Sequence, residues 1–441
     1  MSHLYHGLTP KMRPLSARKS AVLAVLDLGT TKVSCVIAKL EPADASETGR
    51  GRTHRCRVLG IGHQRSRGLK GGAIVDMAEA EKAVRSAIDA AERMAGLTID
   101  SVVVAMTGGR IGSQHFMAEI NTAGRAIHDR DVERAMNAAT AQPLGQGRAV
   151  LHSLPTAYRL DGRAAVKEPR GMIADHLAVE MHVASVDSAA ARNLMLAIER
   201  GHLEVEAVVA TPYAAGLSVL EEDEAEMGVV VIDCGGGTTS SAVFSGGHLQ
   251  HIDAIAVGGH HVTMDLARGL SMRMEDAERL KGLAASCFDD AASDREMITI
   301  PQVGDDDRSN SAYVPRSHVT RIVRPRVEEI LELTRDRLRN AGFGAILSRG
   351  VVLTGGASQL TGLPQLSQTI LSKAVRLGRP MVIKGMPESA KSPAFAATVG
   401  MLIYPQVAAL EHLGSGRGGA MQATGTDGYL SRMGRWLRDS F

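Results

Sequence analysis

Two short stretches of the chain combine an aspartate with glycines and threonines, residue types that can surround a phosphate and a hydrated cation. The first contributes Asp27, Gly29, Thr30, Thr31 and Lys32, and the second contributes Asp233, Gly235, Gly236, Gly237, Thr238 and Thr239. Glycine lets backbone N–H donors approach a phosphate closely because no Cβ intervenes. Asp27 and Asp233 offer the oxygen ligands that Mg²⁺ prefers, and this ion usually keeps several waters. We predict that the two stretches bind a polyphosphate from opposite sides, with Mg²⁺ held by the two aspartates, chiefly through water.

A third glycine-containing turn follows later in the chain, in the run LTGGAS, and contributes Gly355, Gly356 and Ser358. The backbone of this turn would contact the nucleoside of a bound nucleotide. Each turn alone is more typical of an ordinary hairpin or strand-to-helix turn, because Gly-Thr turns are common. All three in this order and at this spacing favour nucleotide binding. Neither hairpin contains a GxxxxGK[ST] loop and no GxGxxG opens a dinucleotide-binding unit, so we expect a site formed by two hairpins.

The two phosphate-binding stretches lie in the turns of an internal repeat. Residues 22–40 and residues 229–247 each contain an apolar strand, an aspartate–glycine–threonine turn and a second strand. A repeat with so long a period is not a short-repeat solenoid. It predicts two similar α/β halves that face each other, each with one hairpin at a shared cleft.

Apolar periodicity and flanking glycine or proline predict the elements between the hairpins. We expect helices over residues 77–94, 191–200, 275–285 and 327–339, a buried strand over 101–106, and a strand, turn and helix start over 349–363. The helix over 327–339 should begin after Pro325 and end before Gly342.

The composition argues against several kinds of partner and site. The formal net charge is +2 and the aromatic content is 3%, so nucleic acid is not an expected partner. The four cysteines lie far apart and form no CxxC pair, which is typical of a reducing cytosol and argues against a zinc site or disulfides. No apolar run reaches the roughly 20 residues of a membrane-spanning helix. Residues 1–20 lack the apolar core of a signal peptide and are predicted to be a disordered tail.

The C-terminal residues show a different pattern. Residues 413–428 are rich in glycine, serine and threonine, which predicts a flexible linker. On a helical wheel, residues 429–441 place Leu430, Met433, Trp436, Leu437 and Phe441 on one arc and Arg435 and Arg438 on the other. This pattern suits a helix in the interface of an anionic membrane. The alternative is a terminal helix docked on the protein's own body. The linker disfavours it, so we predict peripheral membrane binding.

The three turns resemble the two phosphate motifs and the adenosine motif of the actin, heat-shock chaperone and sugar kinase superfamily. Within it, the chain is most similar to the FtsA family of bacterial cell-division proteins, from about Ala21 to Tyr404. The more specific segments are GLKGGAIVDMAEAEKAVRSAIDAAE (68–92), HSLPTAYRLDG (152–162), EPRGMIADHLAVEMHV (168–183), VGGHHVTMDLARGL (257–270), AERLKG (277–282) and RPRVEEILEL (324–333).

The resemblance implies an actin-like two-domain α/β fold, with duplicated ribonuclease-H-like halves around a nucleotide cleft and a small inserted α+β subdomain. The implied first half is 21–100 and 182–212, with 385–412 packing back on it, and the insertion is 101–181. The implied second half is 213–260 and 350–384, with an outer subdomain over 261–349.

The resemblance also assigns roles at the cleft, with ATP and Mg²⁺ as ligands. Gly258 and Gly259 would lie near the phosphates, and Glu278 and Lys281 would contact the ribose. Without the resemblance, these last two are better interpreted as a surface ion pair. Chaperone relatives carry a water-orienting glutamate where this chain has Thr211. Since phosphoryl transfer depends on positioning and charge stabilisation, we expect weak or slow ATPase activity at most.

For function, the resemblance implies a division protein that polymerises on the cytoplasmic face of the inner membrane at the division site. It would anchor the tubulin-like FtsZ ring there and recruit later division proteins. The FtsZ C-terminal tail would dock on residues 261–350, where Arg321, Arg324 and Arg326 are basic candidates. The alternatives are another membrane-associated actin homologue, such as a shape-determining or pilus-assembly ATPase, and a small-molecule kinase. Segment 101–181 and the motifs after His152 count against the first alternative. The kinase would leave residues 429–441 unexplained.

Overall fold

A computed structural model of the chain describes residues 9–12, 15–43, 52–163, 165–288, 294–301, 312–371 and 374–411. The predicted linker and the predicted amphipathic helix, with Leu430, Met433, Arg435, Trp436, Leu437, Arg438 and Phe441, lie outside these residues. Among the helices of the described ranges, none combines the length and the apolar character needed to cross a membrane.

The first half is a mixed sheet built on the first predicted hairpin. Its early elements are β1 (Ala21–Leu28), β2 (Lys32–Pro42), β3 (His54–Arg65), the short pair β4 (Leu69–Lys70) and β5 (Ala73–Ile74), helix α1 (Met77–Ala95) and β6 (Ser101–Met106). Strands β1 and β2 pair antiparallel, which confirms the hairpin, and β6 lies parallel to β1. Helix α1 begins where Asp76 accepts from the Glu79 N–H and ends at Gly96, as its pattern predicts.

The inserted subdomain is a separate four-stranded sheet with one helix packed on it. Its elements are β7 (Gly112–Ala126), α2 (Asp129–Thr140), β8 (Arg148–Leu160), β9 (Ala165–Val166) and β10 (Ile173–Asp187), in the sheet order β7-β10-β8-β9. Strand β6 is not part of it, because β6 pairs inside the first sheet. The predicted start of the insertion at residue 101 is therefore too early. Its predicted end at 181 is too short, since β10 pairs with β8 as far as Asp187.

The chain then returns to the first sheet and crosses into the second half. The elements are α3 (Ser188–Glu199), β11 (Glu204–Ala210), α4 (Thr211–Val219), α5 (Glu222–Met227), β12 (Val229–Cys234), β13 (Thr239–Ser245), β14 (His248–Ile255) and α6 (Gly259–Gly269). Strand β11 completes the five-stranded order β11-β6-β1-β2-β3, in which it is an edge strand. Strands β12 and β13 pair antiparallel and confirm the second hairpin.

The remaining elements form the outer subdomain, close the sheet of the second half and end in a helix that packs back on β1 and α4. They are α7 (Met274–Ala284), β15 (Met297–Ile300), β16 (Ala312–Pro315), α8 (Arg316–Asn340), α9 (Gly344–Leu347), β17 (Val351–Thr354), α10 (Leu363–Ile370), β18 (Val375–Leu377) and α11 (Ala396–Val407). Short 3₁₀ turns cover Gly356–Gln359, Glu388–Lys391, Pro393–Phe395 and Ala408–Glu411. The second sheet has the order β14-β13-β12-β17-β18, with β17 parallel to β12. The two sheets repeat one plan, a hairpin followed by parallel strands.

Helix α8 begins eleven residues before the predicted start at 327, and Pro325 lies inside it. The prediction was wrong because a proline removes one backbone donor and was taken to mark the helix boundary. Val319, Val323 and Val327 are buried at helical spacing on both sides of the proline. Burial of this continuous apolar stripe outweighs the local cost of Pro325.

The predicted disordered tail over residues 1–20 is wrong for residues 9–12. Thr9 and Met12 are each 3% exposed. The Thr9 N–H donates to the Val150 carbonyl at 3.1 Å, and the Val208 N–H donates to the Pro10 carbonyl at 3.4 Å. This short segment is therefore part of the folded body.

Candidate nucleotide site

The structure brings the turns of the two hairpins into direct contact. Within each turn the same bond recurs: the Gly29 N–H donates to the Lys32 carbonyl at 2.9 Å, and the Gly235 N–H donates to the Thr238 carbonyl at 2.9 Å. An ideal Cβ placed on Gly237 would lie 2.3 Å from Thr30 Oγ1, inside contact distance. The two turns approach this closely only because one of them carries glycine at that position.

Two carboxylates lie beneath the turns, Asp27 near the end of β1 and Asp233 near the end of β12. Burial raises the pKa of both, and the nearby Asp27 adds to the effect on Asp233, whose pKa rises to about 7. Lys32 lies close to both and partly offsets the shift. Its Nζ donates to the Ala394 carbonyl at 2.6 Å and lies 3.3 Å from the centre of the Phe395 ring. The cleft therefore holds more negative than positive charge.

These residues fit Mg²⁺ held mainly by water and phosphate. Among the described residues there is no group of three or more histidine, cysteine, aspartate or glutamate side chains that could hold a metal. A pair of carboxylates is the donor set typical of Mg²⁺ that keeps waters and takes substrate phosphates as further ligands. The raised pKa of Asp233 reflects its burial and the neighbouring Asp27, which Lys32 only partly offsets.

The third glycine turn closes against the second hairpin. Gly355 has φ of +84°, and an ideal Cβ there would lie 2.2 Å from Asp233 Oδ1. Ser358, predicted to lie at the nucleoside, is 1% exposed, and its hydroxyl donates to the Gly355 carbonyl at 2.7 Å. Ser358 therefore stabilises the turn from inside.

A cavity of about 420 Å³ opens from the hairpins toward the outer subdomain. The predicted site residues that line it are Thr31, Gly236, Thr239, Gly258, Gly259, Glu278, Lys281 and Gly356. Its far wall is apolar and includes Val262, Val327, Ile330, Leu331 and Leu363, residues not singled out from the sequence. Val327, Ile330 and Leu331 lie on α8, Val262 lies on α6 and Leu363 begins α10. The helical periodicity of the three on α8 indicated only burial. The volume and the mixed lining are those of a small-molecule site.

Glu278 and Lys281 form an ion pair of 2.7 Å on α7 at the edge of the cavity. Lys281 Nζ also donates to the Gly259 carbonyl at 3.1 Å and to Thr263 Oγ1 at 2.9 Å. Burial opposes the ionisation of Glu278, but hydrogen bonds from Lys281 and Thr263 outweigh it and lower its pKa. The pair is therefore tied to the glycine turn at the start of α6, which an ordinary surface ion pair would not be.

Two threonines meet where the first sheet reaches the cleft. Thr107 directly follows β6, and its hydroxyl donates to Thr211 Oγ1 at 2.6 Å. Thr211, at the start of α4, is 7% exposed. Thr107 belongs to no motif that could have identified it in the sequence, because only the parallel pairing of β6 with β11 places it beside Thr211.

The three arginines of the predicted partner surface do not form one group. At about 100° per residue, Arg321 and Arg324 share one face of α8 and Arg326 lies on another. Arg326 pairs with Asp265 of α6 at 2.6 Å and also with Glu329. Arg321 and Arg324 also make ion pairs, with Asp294 at 3.5 Å and with Glu328 at 2.7 Å, but both pairs are exposed to solvent. Arg326 is less exposed and is tied to α6, so the basic surface reduces to Arg321 and Arg324.

Comparison with known proteins identifies relatives over nearly the whole chain. The family model described as cell division protein FtsA matches residues 230–400, and the model of the SHS2 domain inserted in FtsA matches residues 108–185. The chain is 50% identical over 437 residues to the cell division protein FtsA of Agrobacterium fabrum, covering 99% of this chain and 98% of that protein. It is 30% identical to the Escherichia coli protein of the same name, covering 97% of this chain and 100% of that protein.

Solved structures share the fold at low sequence identity. The structure of the PilM-PilN type IV pilus biogenesis complex matches with a TM-score of 0.59 and 15% identity, over 87% of this chain and 98% of that chain. MreB5 of Spiroplasma citri bound to ADP matches with a TM-score of 0.52 and 14% identity, over 89% of this chain and 98% of that chain. These likenesses establish an actin-like fold and nothing narrower.

Proposed function

This chain belongs to the FtsA family of cell division proteins, and on that basis we propose that it binds ATP with Mg²⁺ in the cleft and attaches the FtsZ ring to the membrane. The observation that carries the nucleotide proposal is the meeting of the two hairpin turns above Asp27 and Asp233, beside a cavity of about 420 Å³. The likeness to MreB5 structures bound to ADP and to AMPPNP supports the choice of adenine nucleotide.

In this assignment the backbone N–H groups of the two turns would bind the phosphates. Lys281 and Glu278 would lie at the ribose, and the apolar wall from α8 would cover the base. Mg²⁺, when bound, supplies the positive charge that Asp27, Asp233 and the phosphates need. Thr211, at the position of the water-orienting glutamate of chaperone relatives, offers a hydroxyl group, as does its partner Thr107. We therefore expect weak or slow hydrolysis at most, so that bound nucleotide acts mainly on conformation and assembly.

Gly237→Ala tests the nucleotide site. The added Cβ would meet Thr30 Oγ1 at 2.3 Å and push the turns apart. We expect the affinity for a fluorescent ATP analogue with Mg²⁺ to fall at least about tenfold. A loss of about 1.4 kcal/mol of binding free energy is enough to cause a tenfold change. Gly344→Ala is the matched control, because its added Cβ would lie an ordinary 3.5 Å from Arg339 Cγ. Equal affinity in the two variants would contradict the two-hairpin site.

The membrane proposal rests on residues 429–441, whose pattern suits an interfacial helix. The test is flotation of full-length protein with ATP, Mg²⁺, FtsZ and anionic liposomes, compared with a chain ending at Gly428. We expect FtsZ to float only with the full-length chain. A full-length chain that floats without FtsZ would retain the membrane role and reject the FtsZ partner. A chain that fails to float would reject the membrane role.

For the FtsZ tail we propose a surface of the outer subdomain formed by Arg321, Arg324 and Phe288. The Arg324 guanidinium lies 5.6 Å from the centre of the Phe288 ring, and Phe288 is 37% exposed. An exposed aromatic ring beside guanidinium groups suits an acidic peptide with apolar anchors. The double substitution Arg321→Glu with Arg324→Glu should abolish binding of the FtsZ tail peptide. Arg85→Glu with Arg93→Glu, an equal double charge reversal on α1, should leave it unchanged.

Self-assembly into filaments and recruitment of later division proteins complete the proposal. The inserted subdomain, which extends from the body as a separate sheet and core, is the proposed surface for these contacts. Sedimentation with ATP and Mg²⁺ tests the filament, and failure to sediment in the presence of liposomes would reject it.

A further inference from the structure

One buried carboxylate, Glu411, joins parts of the chain that are far apart in sequence. Its side chain is 1% exposed. It accepts hydrogen bonds from Lys11 Nζ at 2.7 Å, from His152 Nδ1 at 2.9 Å and from the Tyr404 hydroxyl at 3.0 Å. Lys11 lies in the N-terminal segment, His152 in β8 of the inserted subdomain and Tyr404 in α11. Glu411 ends the last described turn, directly before residues 412–441.

The second nitrogen of His152 connects this cluster to the first sheet. His152 Nε2 accepts from the Ala210 N–H at 2.9 Å, so the ring proton lies on Nδ1 and is donated to Glu411. Ala210 is the last residue of β11 and precedes Thr211, which bonds to Thr107 at the end of the first sheet. Glu411 therefore orients the ring that binds the end of β11.

The N-terminal segment is docked on two sheets at once. Thr9 donates to the Val150 carbonyl from its N–H at 3.1 Å and from its hydroxyl at 2.8 Å. Val150 lies in the part of β8 that β9 does not reach, since β9 pairs only with Tyr158 and Arg159. The Pro10 carbonyl accepts from Val208 of β11, the edge strand of the first sheet. The segment therefore pairs with backbone groups at the edges of β8 and β11 that would otherwise be exposed to solvent.

The charge of Glu411 is balanced inside this cluster. Burial would raise its pKa, but Lys11 and the hydrogen bonds from Lys11 and His152 outweigh burial and lower the pKa to about 2. Lys11 is itself only 21% exposed along its side chain. The N-terminal segment therefore supplies the cation on which the last turn of the body depends.

We propose that residues 9–12 are a strap that holds the turn Ala408–Glu411 against the base of the inserted subdomain. The strap fixes the point from which the chain continues to residues 412–441. This inference rests on the proposed membrane role of residues 429–441 for its biological consequence. A flexible chain of the length predicted for the linker over residues 413–428 would have a root-mean-square reach of roughly 20 Å. The position of its origin therefore decides which face of the body can approach the membrane.

The test is amide hydrogen exchange of the full-length chain, followed in residues 402–411 and 148–154. Lys11→Met keeps the apolar stem but removes the charge that balances Glu411. We expect exchange in both segments to rise about tenfold or more, because both lose a shared anchor. Lys11→Arg keeps the charge and should restore slow exchange. Lys391→Met is the control, since Lys391 makes an exposed ion pair with Glu388. Unchanged exchange in Lys11→Met, or an equal rise in Lys391→Met, would overturn the strap.

A second measurement covers the case in which Lys11→Met does not fold. In the wild-type chain, the strap requires residues 9–12 and 402–411 to exchange through one shared opening. Both segments should therefore respond equally to added denaturant. Unequal responses would overturn the strap. Flotation of the wild-type chain with anionic liposomes tests the membrane role independently of the strap. Failure to float would reject the membrane role, while a shared opening would still establish the strap.

Discussion

The chain contains two clusters of buried charge that use similar residues and differ in how completely those residues are paired. Around Glu411, one carboxylate receives three donors, and its pKa falls to about 2. In the cleft, Asp27 and Asp233 share Lys32, and burial raises the pKa of both carboxyl groups, that of Asp233 to about 7.

The difference separates a carboxylate whose charge is balanced by its protein partners from carboxylates whose charge is only partly balanced by Lys32. A buried charge that is fully paired and hydrogen-bonded within the protein requires no bound ion to balance it. Removal of one of its partners is strongly destabilising. A buried pair of like charges lowers stability until a cation arrives, and such perturbed pairs concentrate at functional sites. The Glu411 cluster is of the first kind, and the cleft has the electrostatics of the second.

The largest expected effect is loss of the cation from the complete cluster. Lys11→Met leaves Glu411 buried and charged, so we expect the free energy of unfolding to fall by about 3 kcal/mol. Urea unfolding of the nucleotide-free chain measures it. Lys391→Met removes a lysine whose side chain is 32% exposed and whose partner Glu388 is 87% exposed, and it should change stability by no more than about 0.5 kcal/mol. If the two variants unfold at the same urea concentration, the Glu411 cluster does not stabilise the fold.

The same cluster predicts the acid side of the pH–stability profile. The pKa of Glu411 is about 2 in the folded chain against an ordinary value of 4.5. Its contribution is therefore present above about pH 4.5 and is lost as the pH falls toward 2. In Glu411→Gln that pH-dependent loss should be absent, so the wild-type chain should lose up to about 3 kcal/mol more than the variant on acidification. Parallel profiles for the two chains would contradict the assigned pKa.

The incomplete cluster predicts a change of the opposite sign. The pKa of Asp233 is about 7 in the folded chain against an ordinary value of 3.8. Stability is therefore lost as the pH rises from about 4 through 7, where the folded state must ionise this group. Asp233→Asn should stabilise the nucleotide-free chain by about 2 kcal/mol above pH 7, with the gain vanishing near pH 4.

The ligand should reverse the order of these two chains. With ATP and Mg²⁺ present, the wild-type chain should gain more in melting temperature than Asp233→Asn, because only the wild type keeps both carboxylates for the cation. ATP with EDTA serves as the control and should reduce the difference. A variant that is destabilised without nucleotide would show that Asp233 is structural.

The two hairpin turns could be predicted from the sequence because the residues that form each turn are local. Asp27 with Thr30 and Asp233 with Thr238 each occur within one hairpin, so residue type and spacing sufficed. The cavity wall could not be identified in this way. Val327 and Ile330 show the periodicity of any buried helix face, and only the fold places that face over the hairpins.

The Glu411 cluster lay beyond sequence reasoning for a different reason. Lys11 and Glu411 are 400 positions apart, and neither belongs to a motif. Residues 1–20 looked disordered because they are polar and short of apolar residues, which is a sound rule for a segment by itself. Residues 9–12 are ordered because β8 and β11 offer free backbone partners. These backbone partners are brought together only when both sheets have formed, so the sequence of residues 9–12 does not reveal them.

The smallest expected effect compares one hydroxyl donor from each cluster. The Tyr404 hydroxyl donates to Glu411 at 3.0 Å, whereas Thr398 Oγ1 donates to Asp27 at 3.4 Å. Tyr404→Phe should cost about 1.5 kcal/mol of unfolding free energy, since it removes a bond to a buried charge. Thr398→Val should cost only about 0.5 kcal/mol, because its bond is long and the Asp27 carboxyl is more readily protonated. Urea unfolding at neutral pH compares the two variants. Equal losses would mean that Asp27 depends on its protein partners as much as Glu411 does. That result would contradict the proposal that the cleft carboxylates bind a cation.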